Sequence, residues 1–223
     1  MNPYSHIVMA AKLEALVKPE NTQEYYWGAV APDIRYLAAM PRHQTHIPVE
    51  KVLGFISQYP HLKSFLQGYL VHCLCDEIEL GQVFFQHFPF SMFKGKMLRQ
   101  QVAVMLELYF FENEKVNKSL SGSHNQVLSE LGLNETLSTK LSQSISQYAT
   151  SASFEARISD LARLLNLEND PRIDKYMAAA KRFQKNRLLK NGLFFLIRRG
   201  KISEQLVVIV ASRYRQCLSK GPT

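Results

Sequence analysis

From Phe65 to Cys75 the chain offers a helix in which only Gln67 and His72 are conventionally polar. A helix that is apolar nearly all the way round has to be covered on every side, so other helices must pack around this one. His72 and Asp76 stand four residues apart and share one of its faces. Burying an imidazole and a carboxylate there requires compensation. Either the two serve each other as a structural ion pair, or a cation serves both. The stretch Gly68–Glu79, read alone, leaves both solutions open.

The rest of the sequence supplies the covering helices. Apolar spacing predicts an opening helix from Pro3 or Tyr4 to about Val17, with His6, Met9, Leu13 and Leu16 on one stripe. Asn21 or Thr22 can cap a second helix that starts with Tyr25, Tyr26 and Trp27 and ends around Gly28 to Asp33. Pro32 disfavours helical geometry at Ala31, so Asp33 sits just past a break, either capping the next turn or turning inward. Pro41 to Pro48 reads as a proline-bracketed loop holding His43 and His46. A short helix over 49–58 precedes Pro60, and the central helix is expected from about His61 to Phe85, with His61 at the surface and His87 near a turn set by Pro89. Further helices are predicted over Lys94–Ser119, Asn125–Leu131, Glu135–Tyr148, Phe154–Leu165, Ile173–Lys190 and Ser203–Ser219, punctuated by Ser121–Ser123 and Asn169–Pro171. Nothing reads as a β-sheet. The expected fold is all-α, a multi-helix bundle around a central buried helix, in one domain over 1–223 with a metal-site half at 1–90 and a basic helical half at 150–223.

Charge and cysteine content limit the setting. Residues 151–223 hold 15 Lys and Arg against 6 Asp and Glu, whereas the first 150 hold 12 against 13. That asymmetry is either a solvated helical face or a surface for an anionic partner, a membrane or nucleic acid. Cys73, Cys75 and Cys217 form no disulfide framework, and the first two are too close to bridge comfortably within a helix. Reduced thiols suit the cytoplasm. No secretory signal is expected, because the first apolar run, Ile7–Ala11, is short and is followed by Lys12 and Glu14. No apolar run reaches the roughly 18 residues of a membrane span.

Six of the seven histidines lie within the first 87 residues. The inward candidates are His6, Asp33, His46, His72 and Asp76, with His43 competing for the place of His46. Imidazole nitrogens mixed with carboxylate oxygens suit zinc, with manganese or iron as alternatives.

Four short motifs stand in order over the first 80 or so residues: Ser5-His6, Gly28-Ala29-Val30-Ala31-Pro32-Asp33, Thr45-His46, and Gly68 to Asp76. In this the sequence resembles the zinc-dependent phospholipase C family, which shares its helical architecture with single-strand-specific nucleases. The resemblance implies that Asp33, His46, His72 and Asp76 surround one metal, that His6 and Asp76 contribute to a second, and that Asp76 bridges them. In the secreted members a processed amino-terminal tryptophan completes the second site; here Met1 precedes His6 by five residues. The family's third site requires a histidine about ten residues after the position of His72 and a later His with a carboxylate four residues on. This chain has Gln82 at the first place, and His124 is followed by Leu128 at the second. One or two metals are therefore expected.

The function implied is metal-dependent hydrolysis of a phosphoric ester, such as a phospholipid head group. Asp33 and Asp76 are its candidate catalytic carboxylates, and Arg35 or Arg42 would neutralise phosphate charge. Glu77, Glu79, Glu107 and Glu112 either support the ligands from behind or serve as spare ligands, or, the favoured reading, stand in ion pairs or solvent. The alternative is a non-catalytic helical binding protein that retains a structural metal or a buried His–Asp network.

Overall fold

The computed structural model describes residues 1–85, 97–116, 122–151, 154–164, 181 and 184–220. The expected all-α fold is what it contains: among the described residues there are helices and no strand. His87, Pro89, Ser121, Asn169–Pro171 and most of the predicted Ile173–Lys190 helix lie outside the described residues.

The first helix, α1 (Pro3–Val17), starts on a proline whose missing N–H costs nothing at that position and ends at Lys18 in the left-handed region. Helix α2 (Thr22–Val30) is capped by Asn21, whose side-chain oxygen accepts the Glu24 N–H at 3.1 Å. Beyond Val30 the expected break is a tightening. Ala31 keeps helical angles in spite of Pro32, and the chain continues as a 3-10 helix over Ala31–Arg35. The proline sits in its first turn, where no N–H is required. The proline-bracketed loop is likewise partly helical, since α3 (Arg42–Thr45) forms one short turn. Helix α4 (Val49–Gln58) and a 3-10 turn at Pro60–Leu62, carrying the exposed His61, lead to the central α5 (Lys63–Asp76).

Helix α5 is buried from Ser64 to Cys75, as its composition requires. It does not run to Phe85. The chain turns at 77–79 and restarts as α6 (Leu80–Phe85). At the break Glu79 stands just before a helix start, where negative charge is favoured. Its carbonyl accepts the Gln82 N–H at 2.9 Å, and its side chain accepts from the Gln82 amide at 2.8 Å. Gln82 is exposed.

The later helices are α7 (Met97–Asn113), α8 (Gln126–Glu130), α9 (Glu135–Thr150), α10 (Phe154–Leu164), α11 (Arg187–Arg199) and α12 (Ile202–Lys220). Two differ from expectation. Helix α7 ends at Asn113 instead of running on through 114–116; there the Glu114 carbonyl accepts the Tyr4 hydroxyl at 2.9 Å, tying the exit of α7 to α1. Helix α11 begins inside the predicted Ile173–Lys190 helix and runs on past its expected end to Arg199, through Asn191 and Gly192. Its inner stripe of Leu193, Phe194 and Ile197 is buried, and Phe194 meets Tyr109 of α7 edge to face at 5.4 Å. Burial of that stripe outweighs the roughly 1 kcal/mol that a glycine costs within a helix.

The closest packing is between α2 and α5. A Cβ placed on Gly28 would come 1.9 Å from the Phe65 carbonyl oxygen, and one on Gly68 would come 1.9 Å from that of Tyr25. The two backbones touch, and only glycine permits it. Around this crossing Tyr25, Tyr26, Trp27, Phe65 and Tyr69 are fully buried, and Gln67 is spent on the Val17 carbonyl at 3.5 Å. One buried cluster extends from Tyr4 to Tyr214. No described helix is long and apolar enough to cross a membrane.

Gly68→Ala should destabilise the protein by about 3 kcal/mol, the upper end for overpacking against backbone. Gly54→Ala in α4, where nothing lies within 4 Å, should stabilise by up to about 1 kcal/mol. Urea denaturation of the pair checks this contrast; equal effects would mean that the crossing is slack.

Candidate metal centre

The helix crossing sets the register of everything polar beneath it. Because α2 and α5 touch, the Ala29 carbonyl reaches His72 and accepts a hydrogen bond from Nδ1 at 2.8 Å. A carbonyl can only accept, so Nδ1 carries the proton and Nε2 presents its lone pair to the interior. His46, at the end of α3, has Nδ1 3.2 Å from the Thr45 hydroxyl, which leaves its Nε2 facing His72 Nε2 at 3.1 Å. His6 comes from α1 and stacks on the His72 ring at a centroid distance of 3.7 Å. Asp33 is supplied by the 3-10 helix and is buried.

Asp76 ends α5 among these groups. Its Oδ2 lies 3.1 Å from His46 Nε2 and 3.9 Å from His72 Nε2, while Oδ1 lies 3.3 Å from His6 Nε2. The Met1 amino group contacts Oδ1, and Arg42 Nη2 reaches Oδ2 at 2.8 Å from the rim. All five residues expected inward are thus brought together. The rival His43 is exposed within α3, whereas His46 follows that helix with a non-helical backbone (φ −98°, ψ 71°), so the two do not share a helical face.

Two sets of three donors have ligand atoms all within 4.8 Å of one another: His6, Asp33 and His72, and His46, His72 and Asp76. In three-residue terms the shared member is His72, although Asp76 turns one oxygen to His6 and the other to His46. His6 Nδ1 and Asp33 Oδ2 are buried without any hydrogen-bond partner, and His6 Nε2 lacks hydrogen-bond geometry to Asp76. Buried polar atoms are nearly always satisfied, so such orphans mark a demand for a further partner.

Protonation follows from burial and neighbours. Burial lowers His6 to about 4, helped by the Met1 amino group and opposed by Asp76. Burial also holds His72 well below the ordinary imidazole value and lowers His46. Burial alone would raise Asp76, but the close approach of the His46 and His6 rings and the charge of the Met1 amine outweigh it, so its carboxyl lies well below the usual range. For Asp33 burial, aided by the charge of Asp76 and only partly offset by the Met1 amine and Arg35, pushes the carboxyl up to about 7. At neutral pH the site therefore offers three neutral imidazoles, an ionised Asp76 and an Asp33 poised to exchange a proton.

Of the roles open to Glu107, the structure shows neither solvent nor an ion pair but a supporting one. From α7 it is buried beneath the start of α1, where its carboxylate accepts the N–H groups of Tyr4 and Ser5 at 2.8 Å each, the Ser5 hydroxyl at 2.5 Å and the Tyr148 hydroxyl. It caps the positive end of the helix that carries His6. Burial raises its carboxyl and these bonds draw it back down. The signal for this role was legible: Glu107 is the lone carboxylate in the apolar run Met105–Phe111. The Glu77 and Glu112 expectations hold, with Arg213 at 3.4 Å and Lys190 at 3.1 Å. His124 bonds to Ser138 and Ser129, away from this site.

Set against family models, curated proteins and solved structures, the chain matches none.

The histidines and Asp33 pull stability in opposite directions with pH. The lowered imidazoles favour the folded state fully above 6.5, and that contribution is lost as pH falls toward about 4 and the unfolded chain takes up protons first. Asp33, raised from 3.8 to about 7, binds its proton more tightly when folded, so its contribution is largest in acid and fades as pH rises toward 7. With chelator present, the urea midpoint should drop between about pH 7 and about pH 5. Asp33→Asn, which removes the opposing group, should drop further than wild type. An equal or smaller drop would contradict the assignment.

Proposed function

We propose that this chain is a metal-dependent hydrolase of phosphoric esters, with zinc as the preferred ion and manganese or iron as substitutes, working in the manner of the phospholipase C family it resembles. The observation that carries the reading is the donor triangle of His46, His72 and Asp76, with edges of 3.1, 3.1 and 3.9 Å. Donors about 2.1 Å from a tetrahedral zinc stand about 3.4 Å from each other. The observed edges bracket that value. The chemistry of the donors agrees, since two of the imidazoles tie Nδ1 to an outer partner and turn Nε2 inward, the usual arrangement of ligating histidines. Neutral imidazoles and an ionised carboxylate are also the protonation states that coordination requires.

His46, His72 and Asp76 would hold one ion, and the orphaned His6 and Asp33 would serve a second together with His72 or Asp76. An ion held there supplies Lewis acidity to a phosphoryl oxygen and acidifies water toward about 7. The residues of the chain do the rest. Asp33, with an affinity for protons near neutrality, accepts one from the attacking water at Oδ2. Arg42, half exposed at the rim, moves between Asp76 and an incoming phosphate, to which it donates paired N–H groups. Arg35 lies over the Tyr36 ring at 3.8 Å with its buried Nε unpaired, and steadies the same charge. Buried free thiols at Cys73 and Cys75 accord with a cytoplasmic setting.

A second reading has its own observation. The Met1 amine and Arg42 already neutralise Asp76, which is how a non-catalytic helical protein would satisfy a buried His–Asp network.

The two readings separate by experiment. Metal analysis of purified protein, before and after zinc or manganese loading, should find one or two ions per chain, and His72→Ala should lose them. The loaded protein should hydrolyse an activated phosphodiester, and Asp33→Asn should slow it about 10²- to 10⁴-fold while remaining folded. Under the second reading no ion is retained at any loading, and Asp76→Asn costs about 3–5 kcal/mol of stability with no activity to lose.

A further inference from the structure

Helix α11 has a second apolar face that its own core does not use. Leu193, Phe194 and Ile197 point inward, yet Leu188 is 88% and Phe195 58% exposed. Seven residues apart, these two lie on the same outer face, with Gly192 between them and nothing within 4 Å of where its Cβ would stand. Arg199, four residues beyond Phe195, extends the stripe. From Lys185 to Lys201 the chain has six Lys and Arg and no acidic residue. Lys190 is engaged by Glu112 and Arg198 by Asn113, whereas Lys185, Arg187, Arg199 and Lys201 are exposed.

We propose that the outer face of α11 seats the protein on the surface of an anionic lipid bilayer. Basic side chains at both ends of the helix answer the negative head groups, and Leu188 and Phe195 enter the boundary between head groups and acyl chains. Charge complementarity identifies the partner as anionic. The apolar pair then separates lipid from nucleic acid, because a phosphate backbone gives an outward-pointing Leu and Phe nothing to bury. Helix α11 is too short and too charged to span a bilayer, so it lies in the plane of the surface. This inference stands apart from the metal centre and needs no ion.

Flotation of the full chain with vesicles, in chelator, tests it. The protein should bind vesicles of phosphatidylglycerol and phosphatidylcholine, release as salt rises, and ignore pure phosphatidylcholine. Leu188→Ser with Phe195→Ser, both at exposed positions, should weaken binding at least about tenfold while leaving the circular dichroism spectrum unchanged. Arg187→Gln with Arg199→Gln should weaken it as well. The proposal is overturned if wild type does not float with anionic vesicles, or if the serine variant floats equally well. It is also overturned if the serine variant instead abolishes a dimer seen by sedimentation, or if single-stranded nucleic acid binds tightly and indifferently to the serine changes while vesicles do not bind.

Discussion

The contact on which this structure depends is the touching of two backbones, α2 on α5, at Gly28 and Gly68. Bringing helices this close buries their polypeptide chains against each other and leaves the Ala29 carbonyl within reach of the next helix. His72 uses it, and the ring is thereby fixed in both orientation and tautomer. The same crossing delivers Asp33, because the 3-10 turn that carries it begins where α2 ends. A side chain at either glycine would move the helices apart and uncouple these two groups.

Electrostatics then decides what the assembled groups are. Five ionisable residues share one largely buried space, and they cannot all be charged. Asp76 takes the negative charge because imidazoles and cations converge on it from the first residues of the chain and from α3; Asp33, whose Oδ2 has no hydrogen-bond donor, is driven toward its neutral form. The imidazoles shed their protons to burial. The outcome is a set of imidazole nitrogens and carboxylate oxygens facing one another, held by outer partners: Ala29 for His72, Thr45 for His46 and, through the helix it caps, Glu107 for His6.

Much of this was legible before any coordinates. Period and capping identified α1, α2, α4, α8, α9 and α10 within a residue or two, because Asn21, Asn125 and Asn134 are strong local caps and local hydrogen bonds govern where helices begin. The inward set His6, Asp33, His46, His72 and Asp76 was legible because burying a polar residue in an apolar stretch leaves a mark in the sequence. The same mark at Glu107 was read as solvent or ion pair, since its partners lie about a hundred residues away in α1. The break at 77–79 is not legible because apolar residues continue on both sides of it and neither proline nor a cap marks it. The extension of α11 beyond Lys190 is not legible because its buried stripe has meaning only once α7 is there to receive it.

By itself the sequence determined the class of fold, the burial of the central helix and the short list of donors, since periodicity, local caps and the cost of burying charge are all properties of neighbouring residues. Which donors meet, at what separations and in which protonation states, was decided by tertiary structure alone. His46 prevails over His43 because the chain leaves helical geometry at His46, just past α3, while His43 stays on the helix in solvent, and His72 holds its proton on Nδ1 because a carbonyl forty-three residues earlier sits 2.8 Å away. The outward face of α11 is likewise a product of packing: Leu188 and Phe195 are ordinary apolar residues in the sequence, and only the completed core leaves them in solvent.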